Sequence, residues 1–235
     1  MICIIIPTYN ENENIFKLIE EITKLIENVD IVIVDDSVDK LDALKKIDNV
    51  SYIHRGSKLG RGSAVLEGIK EGLLKEKNKI FIEMDADFSH DPKELKKNID
   101  YFQKENLNFL IASRYVEGSK IINWPLSRHL LSKISNFLAK FLLRVPINDY
   151  TNGFRFYDKN AAKHVIKECE HSKSTGFILL SEIVLELYKN NYKISEIPTI
   201  FVNRVRGESK VNLSEILNSF IGLIKLYIST KIYKK

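Results

Sequence analysis

Five short apolar runs mark the first half of the chain, at residues 2–6, 31–34, 50–53, 80–84 and 109–112. They are rich in β-branched residues and bounded by turn or polar residues, the pattern of parallel strands buried on both faces. Between them the apolar period changes. Ile15, Leu18, Ile19, Ile22, Leu25 and Ile26 recur at helical spacing, and Val65, Leu66, Ile69, Leu73 and Leu74 do the same. Asp91, Pro92 and Glu94 read as a helix start, with aspartate at the N-cap, proline at the first helical position and glutamate set to close a capping box. This alternation predicts an α/β domain with a mostly parallel sheet. In such sheets ligands bind outside the carboxyl ends of the strands.

After Arg114 the pattern changes. Leu130, Leu131, Ile134, Phe137, Leu138, Phe141 and Leu142 form an apolar stripe at helical spacing over about residues 126–144, with Arg128, Lys133, Lys140 and Arg144 around it. It fits either a core helix or a helix lying in a membrane interface with its cations near headgroups. Residues 216–232 repeat the choice, with Ile216, Leu217, Phe220, Ile221, Leu223, Ile224, Tyr227 and Ile228 interrupted by Lys225. That segment is too short and punctuated to span a bilayer. The expected division is a catalytic domain over 1–210 and a basic amphipathic helix over 211–235, with no transmembrane span.

Polar residues of chemical interest fall at the predicted strand ends. "PTYNE" (7–11) follows the first strand, "DDS" (35–37) the second and "DAD" (85–87) the fourth. A dry strand ending in Asp85 and Asp87 needs a counter-charge, because an unpaired buried carboxylate is costly. A divalent cation is the expected one: D-x-D spacing on a strand sets both side chains on one side, and hard cations take carboxylate and phosphate oxygens together. Exposed aspartate pairs are common, so the argument rests on the strand before and the helix after. Ser89 and His90 are possible further ligands, against the alternative of a helix-start serine and a surface histidine. "DDS" is either a reader of ring N–H or ribose groups or a helix cap. "KLGRGSAVLEG" (58–68) is a glycine-rich loop before a helix, where backbone N–H groups can approach an anion, but it lacks the Lys-Ser/Thr ending of a P-loop. "NRVRGESK" (203–210) clusters Arg204, Arg206 and Lys210, or is a solvated charge run.

Composition narrows the class. With 44% hydrophobic residues the chain is globular, not disordered. Cys3 and Cys169 have neither disulfide-framework nor zinc-ligand spacing and read as packing residues. Residues 2–6 lead into Pro7 without the basic stretch and cleavage site of a signal peptide, so cytoplasmic residence is expected. The net charge of +5 is carried by the tail from Arg204, where seven basic residues face two acidic ones. That tail suits anionic lipid or phosphate and lacks the aromatic interleaving of single-strand nucleic-acid binders.

In order, PTYNE, DDS, K-x-G-x-G, MDADFSHDP, ASRYVEG (112–118), NWPLSR (123–128), NDYTNGFRFY (148–157) and RVRGESK (204–210) resemble the dolichol-phosphate mannose synthases, within the family-2 glycosyltransferases of GT-A fold. PTYNE and DAD point only to the broad superfamily; NWP-x-x-R with R-x-x-G-E-S-K is specific to the polyprenyl-phosphate branch. The resemblance implies that Pro7, Tyr9, Glu11, Val34 and Asp36 hold the nucleoside, and that Asp85, Ala86 and Asp87 hold the metal–diphosphate unit, with Mg or Mn as cofactor and Ser89 as a further metal ligand. It implies that Arg114, Arg204 and Lys210 contact the donor diphosphate or acceptor phosphate and that Arg128 receives the lipid phosphate. Asp87, Arg114, Arg128, Arg204 and Lys210 are then the catalytic set. Asp149 matches the acidic residue before the family's S/N-G-F segment.

Three departures stand out: Ser37-Val38-Asp39 lacks one small residue of the family's loop, Arg61 replaces the leucine of G-L-G, and the C-terminal transmembrane helices of some members are missing. The implied reaction is inverting, metal-dependent transfer of a hexose, mannose from GDP-mannose, to polyprenyl or dolichyl phosphate at the cytoplasmic face of a membrane, with or without a separate membrane subunit. The alternatives are a UDP-sugar polyprenyl-phosphate glycosyltransferase, for example glucosyl, and a non-catalytic nucleotide-sugar-binding subunit. Nucleic acid is not an expected partner.

Overall fold

The computed structural model describes residues 1–172, 177–203 and 221–228. Four parallel strands, β1 (Ile2–Thr8), β2 (Val29–Asp35), β3 (Val50–His54) and β4 (Ile80–Glu83), alternate with α1 (Asn12–Leu25) and α2 (Arg61–Leu73). They are followed by α3 (Glu94–Lys104), β5 (Phe109–Ser113), β6 (Lys120–Ile122), α4 (Leu126–Leu143), β7 (Arg155–Asp158), α5 (Lys159–Cys169), α6 (Phe177–Lys189), β8 (Ile194–Pro198) and β9 (Ile200–Val202). Residues 221–228 are helical.

The main sheet runs β3-β2-β1-β4-β7-β5-β8, and β6 pairs with β9 in a small second sheet. Among the described residues of this sheet only β7 is antiparallel to its neighbours, β4 and β5. No separate strand was expected there, because "RFYD" is only four residues in a polar segment and has its pairing partners far away in sequence.

Strand pleating sorts the core into two layers. In β1, Cys3 and Ile5 face one cluster, with Val65 and Ile69 of α2, Val165 of α5 and Ile183 of α6; Ile4 and Ile6 face the other, with Ile15, Leu18 and Ile22 of α1 and Leu95 and Ile99 of α3. Each such fully buried aliphatic side chain contributes roughly 1.5–3 kcal/mol. The continuous apolar reading of the strands follows from this two-sided burial.

Two expectations change in detail. The Asp91 carboxylate accepts the Lys93 N–H at 2.9 Å, but helix α3 begins only at Glu94 and no capping box forms, because Glu94 turns its carboxylate to Thr199 and the Ile200 N–H. That exchange ties the helix start to the link between β8 and β9. Helix α4 is neither wholly core nor wholly surface. Ala139 and Leu143 are buried and Leu138 and Leu142 pack on the core, while Leu126, Leu130, Ile134, Phe137 and Phe141 face outward at 84, 60, 47, 68 and 69% exposure. The polar Asn136 is on the inner face, bonded to Ser132 O and the Tyr150 N–H. Among the described residues no helix is long and apolar enough to cross a membrane.

Candidate active site

The chain winds from β1 outward to β3 and then returns to place β4 on the other side of β1. Where strand order reverses, the loops at the carboxyl ends part and leave a crevice. "PTYNE" leaves β1 on one side of that crevice and the D-x-D segment leaves β4 on the other, as the strand-end reading expected. The loops are stitched together: Asp36 N–H donates to Thr8 O at 3.0 Å, Asn10 N–H to Ser37 Oγ at 2.8 Å, and Met84 N–H to Ile5 O at 3.1 Å.

On the β1–β2 side, Pro7 and Val34 are buried in the sheet, whereas Tyr9 is 42% exposed and Glu11 is partly open. Lys58 of the glycine-rich loop lies over the Tyr9 ring, 5.0 Å from its centroid. Asp36 is buried and already engaged, its Oδ1 taking the Arg55 Nε–H at 2.5 Å and its Oδ2 the Gly60 N–H at 2.8 Å. Gly60 has φ +100°, which lets the loop turn its N–H onto the carboxylate before α2 begins. Asp36 therefore holds the glycine-rich loop against β2, a task the sequence did not reveal. Arg55 carries no motif that would have singled it out.

The D-x-D segment lies beyond the strand. β4 ends at Glu83, Asp85 is irregular and Ala86 to Ser89 form a turn and bend, so strand pleating no longer sets side-chain direction. Phe88 adopts φ +60°, a left-handed conformation costing about 1–2 kcal/mol for a residue with a Cβ. Three contacts hold the turn. Ser89 N–H donates to Asp87 Oδ1 at 3.0 Å, Val202 N–H donates to Ser89 O at 3.2 Å, and Asp85 N–H donates to His90 Nδ1 at 3.0 Å.

His90 is not the surface residue expected. It is fully buried, stacked on Phe154 and edge-on to Phe201. Because its Nδ1 accepts, Nε2 carries the proton and donates to Asn152 Oδ1 at 3.0 Å. Ser89 is likewise 3% exposed and braces the turn through its backbone. The counter-charge expected from a metal is met at Asp85 by Arg61, whose guanidinium lies 2.8 Å from Oδ1. Among the described residues no three acidic, His or Cys side chains gather around one point. The paired carboxylates of Asp85 and Asp87 are nonetheless hard oxygen donors, with Asp85 about 30% exposed, and they fit a cation that takes its other ligands from phosphate and water.

The other wall comes from β5, α4 and β9. Arg114, expected at a phosphate, is instead buried in an ion pair: its Nε and Nη2 donate to Asp149 Oδ2 and Oδ1 at 2.8 and 2.7 Å, and Nη2 also to Thr151 Oγ1. Trp124, Phe201 and Tyr115 surround the guanidinium at 5.3, 5.4 and 5.6 Å. Burial alone would raise the Asp149 pKa, but the Arg114 charge and the N–H groups aimed at Asp149 reverse this and hold it below the ordinary value. Asn152 N–H also donates to Asp149 Oδ1 at 3.0 Å, so one hydrogen-bonded chain runs from Asp85 through His90 and Asn152 to Asp149 and Arg114.

Arg128 lies in the first turn of α4, 4.3 Å above the Trp124 ring, and donates to Asn203 Oδ1 at 2.7 Å. The NWP-x-x-R segment therefore meets the residue immediately before "RVRGESK". Arg204 and Lys210 themselves, and most of the expected 211–235 helix, lie outside the described residues. His90, Asn152 and Trp124 were each inside a quoted motif, but nothing in residue type or spacing revealed that His90 and Asn152 join the two walls or that Trp124 packs on Arg114, Arg128 and Phe201.

The model for "Glycosyl transferase family 2" matches residues 3–166. The polyprenol monophosphomannose synthase of Mycolicibacterium smegmatis is 36% identical over 221 residues, spanning 91% of this chain and 82% of that protein. The undecaprenyl-phosphate mannosyltransferase of Micrococcus luteus is 31% identical over 214 residues, 88% and 86% of the two chains. Glucosyl-3-phosphoglycerate synthase from Mycobacterium tuberculosis, solved with Mn2+, uridine diphosphate and glucosyl-3-phosphoglycerate, shares the fold at a TM-score of 0.69 and 14% identity, over 97% of this chain and 79% of that one. By its family match and the extent of these two relatives, the chain belongs to glycosyl transferase family 2.

Proposed function

We propose that this enzyme moves mannose from GDP-mannose to the phosphate of a polyprenyl phosphate, with inversion at the anomeric carbon, at the cytoplasmic face of a membrane. One observation carries the acceptor: Arg128 sits at the root of a helix whose outer side, Leu126, Leu130, Ile134, Phe137 and Phe141, is an exposed apolar ramp. A cation beside apolar side chains suits a molecule with an anionic head and an isoprenoid tail. The two relatives named for polyprenol and undecaprenyl phosphate support the same choice.

On the donor side, Tyr9 and Glu11 receive the nucleoside over the floor made by Pro7 and Val34. Asp36 still has accepting capacity for a ring or ribose group, since a carboxylate offers about four lone-pair sites. Asp85 and Asp87, with the Ala86 backbone between them, would hold Mg or Mn, and Arg204 and Lys210 would meet the diphosphate on that side. The cation, when bound, supplies positive charge at the diphosphate.

An acceptor phosphate oxygen attacks the anomeric carbon from the side opposite the diphosphate. The new C–O bond forms as the bond to the diphosphate oxygen breaks, and that oxygen leaves with the electron pair. Phosphate monoesters have a second pKa of about 6 and are mostly dianionic at neutral pH, so no general base is required. The protein's work is positioning and charge. Arg128 holds the attacking phosphate, and Arg114, locked onto Asp149, positions the wall beneath it instead of touching phosphate. The catalytic unit spans 1–210, with the outer side of α4 facing the membrane.

The test is a radiolabel transfer assay with purified protein, Mg or Mn, a short polyprenyl phosphate in detergent, and GDP-mannose and UDP-glucose in parallel. Label in the lipid phase from GDP-mannose alone is expected. Label from UDP-glucose alone keeps the mechanism and changes the donor, and label from neither overturns the reading.

A further inference from the structure

The Asp85 carboxylate already has a cation inside the fold. Arg61, at the start of α2, donates through Nε to Asp85 Oδ1 at 2.9 Å, through Nη1 to Glu83 Oε1 at 2.5 Å and through Nη2 to Gly153 O at 3.2 Å. The site is built to receive it. Glu83 is fully buried and its other oxygen takes the Tyr157 hydroxyl at 2.9 Å, and the guanidinium occupies the space beside Gly153 where a Cβ would stand 2.0 Å from Arg61 Nη2, so a side chain at 153 would displace it. Arg61 is a permanent positive charge, because a guanidinium stays protonated in proteins, so it cannot make way by losing a proton.

A divalent cation drawn to Asp85 and Asp87 must accept this charge as a neighbour. We propose that Arg61 is a positioning residue that fixes the Asp85 carboxylate and, by like-charge repulsion, keeps divalent-cation affinity low until a nucleoside diphosphate arrives. The diphosphate brings enough negative charge to offset Arg61, so cation and donor bind together. The Asp85–Asp87 cation site is taken from the reading above; the effect of Arg61 on it is new.

Mn2+ binding to the full chain, followed by the electron paramagnetic resonance of free Mn2+ with and without GDP, tests this without any turnover. Arg61→Leu alone strands the buried Glu83 charge and can unfold the protein, so the informative variant is Arg61→Leu with Glu83→Gln, checked for native near-UV circular dichroism. Without GDP it is expected to bind Mn2+ about fivefold tighter than wild type, with GDP adding less; Arg61→Lys should stay within about twofold of wild type, and Glu83→Gln alone should weaken binding. Unchanged or weaker Mn2+ affinity in the folded double variant overturns the proposal, as does absence of Mn2+ binding by either protein with and without GDP. The two readings fail separately. Mannose transfer with no effect of Arg61 on Mn2+ sinks only this inference, whereas the Mn2+ shift without transfer from either sugar nucleotide sinks only the assigned reaction.

Discussion

The two walls of the crevice bury charge alike and differ in what they turn outward. On the β1–β4 side Asp36 pairs with Arg55 and Glu83 with Arg61, and on the β5–α4 side Arg114 pairs with Asp149 near the buried Asn136. Along α4, however, Phe137 and Phe141 face out, with Leu126, Leu130 and Ile134. Under the proposed reaction the first wall meets a water-soluble nucleotide, whereas the second gains by turning apolar surface toward lipid.

The largest effect belongs to the first wall. Asp87→Ala should lower transfer by about 10^2–10^3-fold, the scale of losing an electrostatic anchor at a departing charge, with circular dichroism unchanged and stability lowered by only about 1 kcal/mol for the lost hydrogen bond from the Ser89 N–H. Turnover near the wild-type level in the folded variant, with metal present, would remove Asp87 from the site.

The next effect belongs to the second wall. Asp149→Ala leaves Arg114 buried without its partner and should cost about 3–5 kcal/mol in urea unfolding, because breaking a buried pair strands a charge. The pH dependence has a definite sign. Asp149 has a folded pKa below its ordinary 3.8, so its contribution is complete above that value and is lost as pH falls through the folded pKa. Wild type should therefore lose stability on acidification below about pH 4, and Asp149→Asn should have a shallower acid limb. An equal limb in both proteins would assign acid unfolding to other carboxylates.

Much of the first wall was legible because its cause is local. Strands β1 to β4 are apolar runs between turn residues, and the motifs at their ends lie within a few residues of the strands that position them. The pairings were not legible. Arg61 and Asp85 are 24 residues apart, Arg114 and Asp149 are 35, and His90 and Asn152 are 62. Charge pairs across loops leave no periodic trace, so the arginine that meets Asp85 was not foreseen. His90 failed for the same reason: polarity suggested surface, and only β9 and Phe154 closing over it make it buried. Periodicity identified α4 as a helix but could not orient it, because apolar residues occur on both its sides.

That orientation yields the finest test of the contrast. Leu143 on the inner side is 7% exposed and should cost about 2–5 kcal/mol as Leu143→Ala. Phe137 and Phe141 are 68 and 69% exposed, and their rings lie stacked with centroids 6.5 Å apart. The double change Phe137→Ser, Phe141→Ser should therefore alter unfolding by no more than about 0.5 kcal/mol, as surface substitutions do. It should instead weaken co-sedimentation with anionic vesicles by about tenfold, because each ring loses its apolar contact with the acyl boundary. Transfer to a short, detergent-dispersed acceptor should change far less than transfer to acceptor held in vesicles. If the double variant unfolds as readily as Leu143→Ala, the outer side of α4 is protein core and the contrast between the walls fails. If it stays folded and binds vesicles as wild type does, another surface carries the membrane contact.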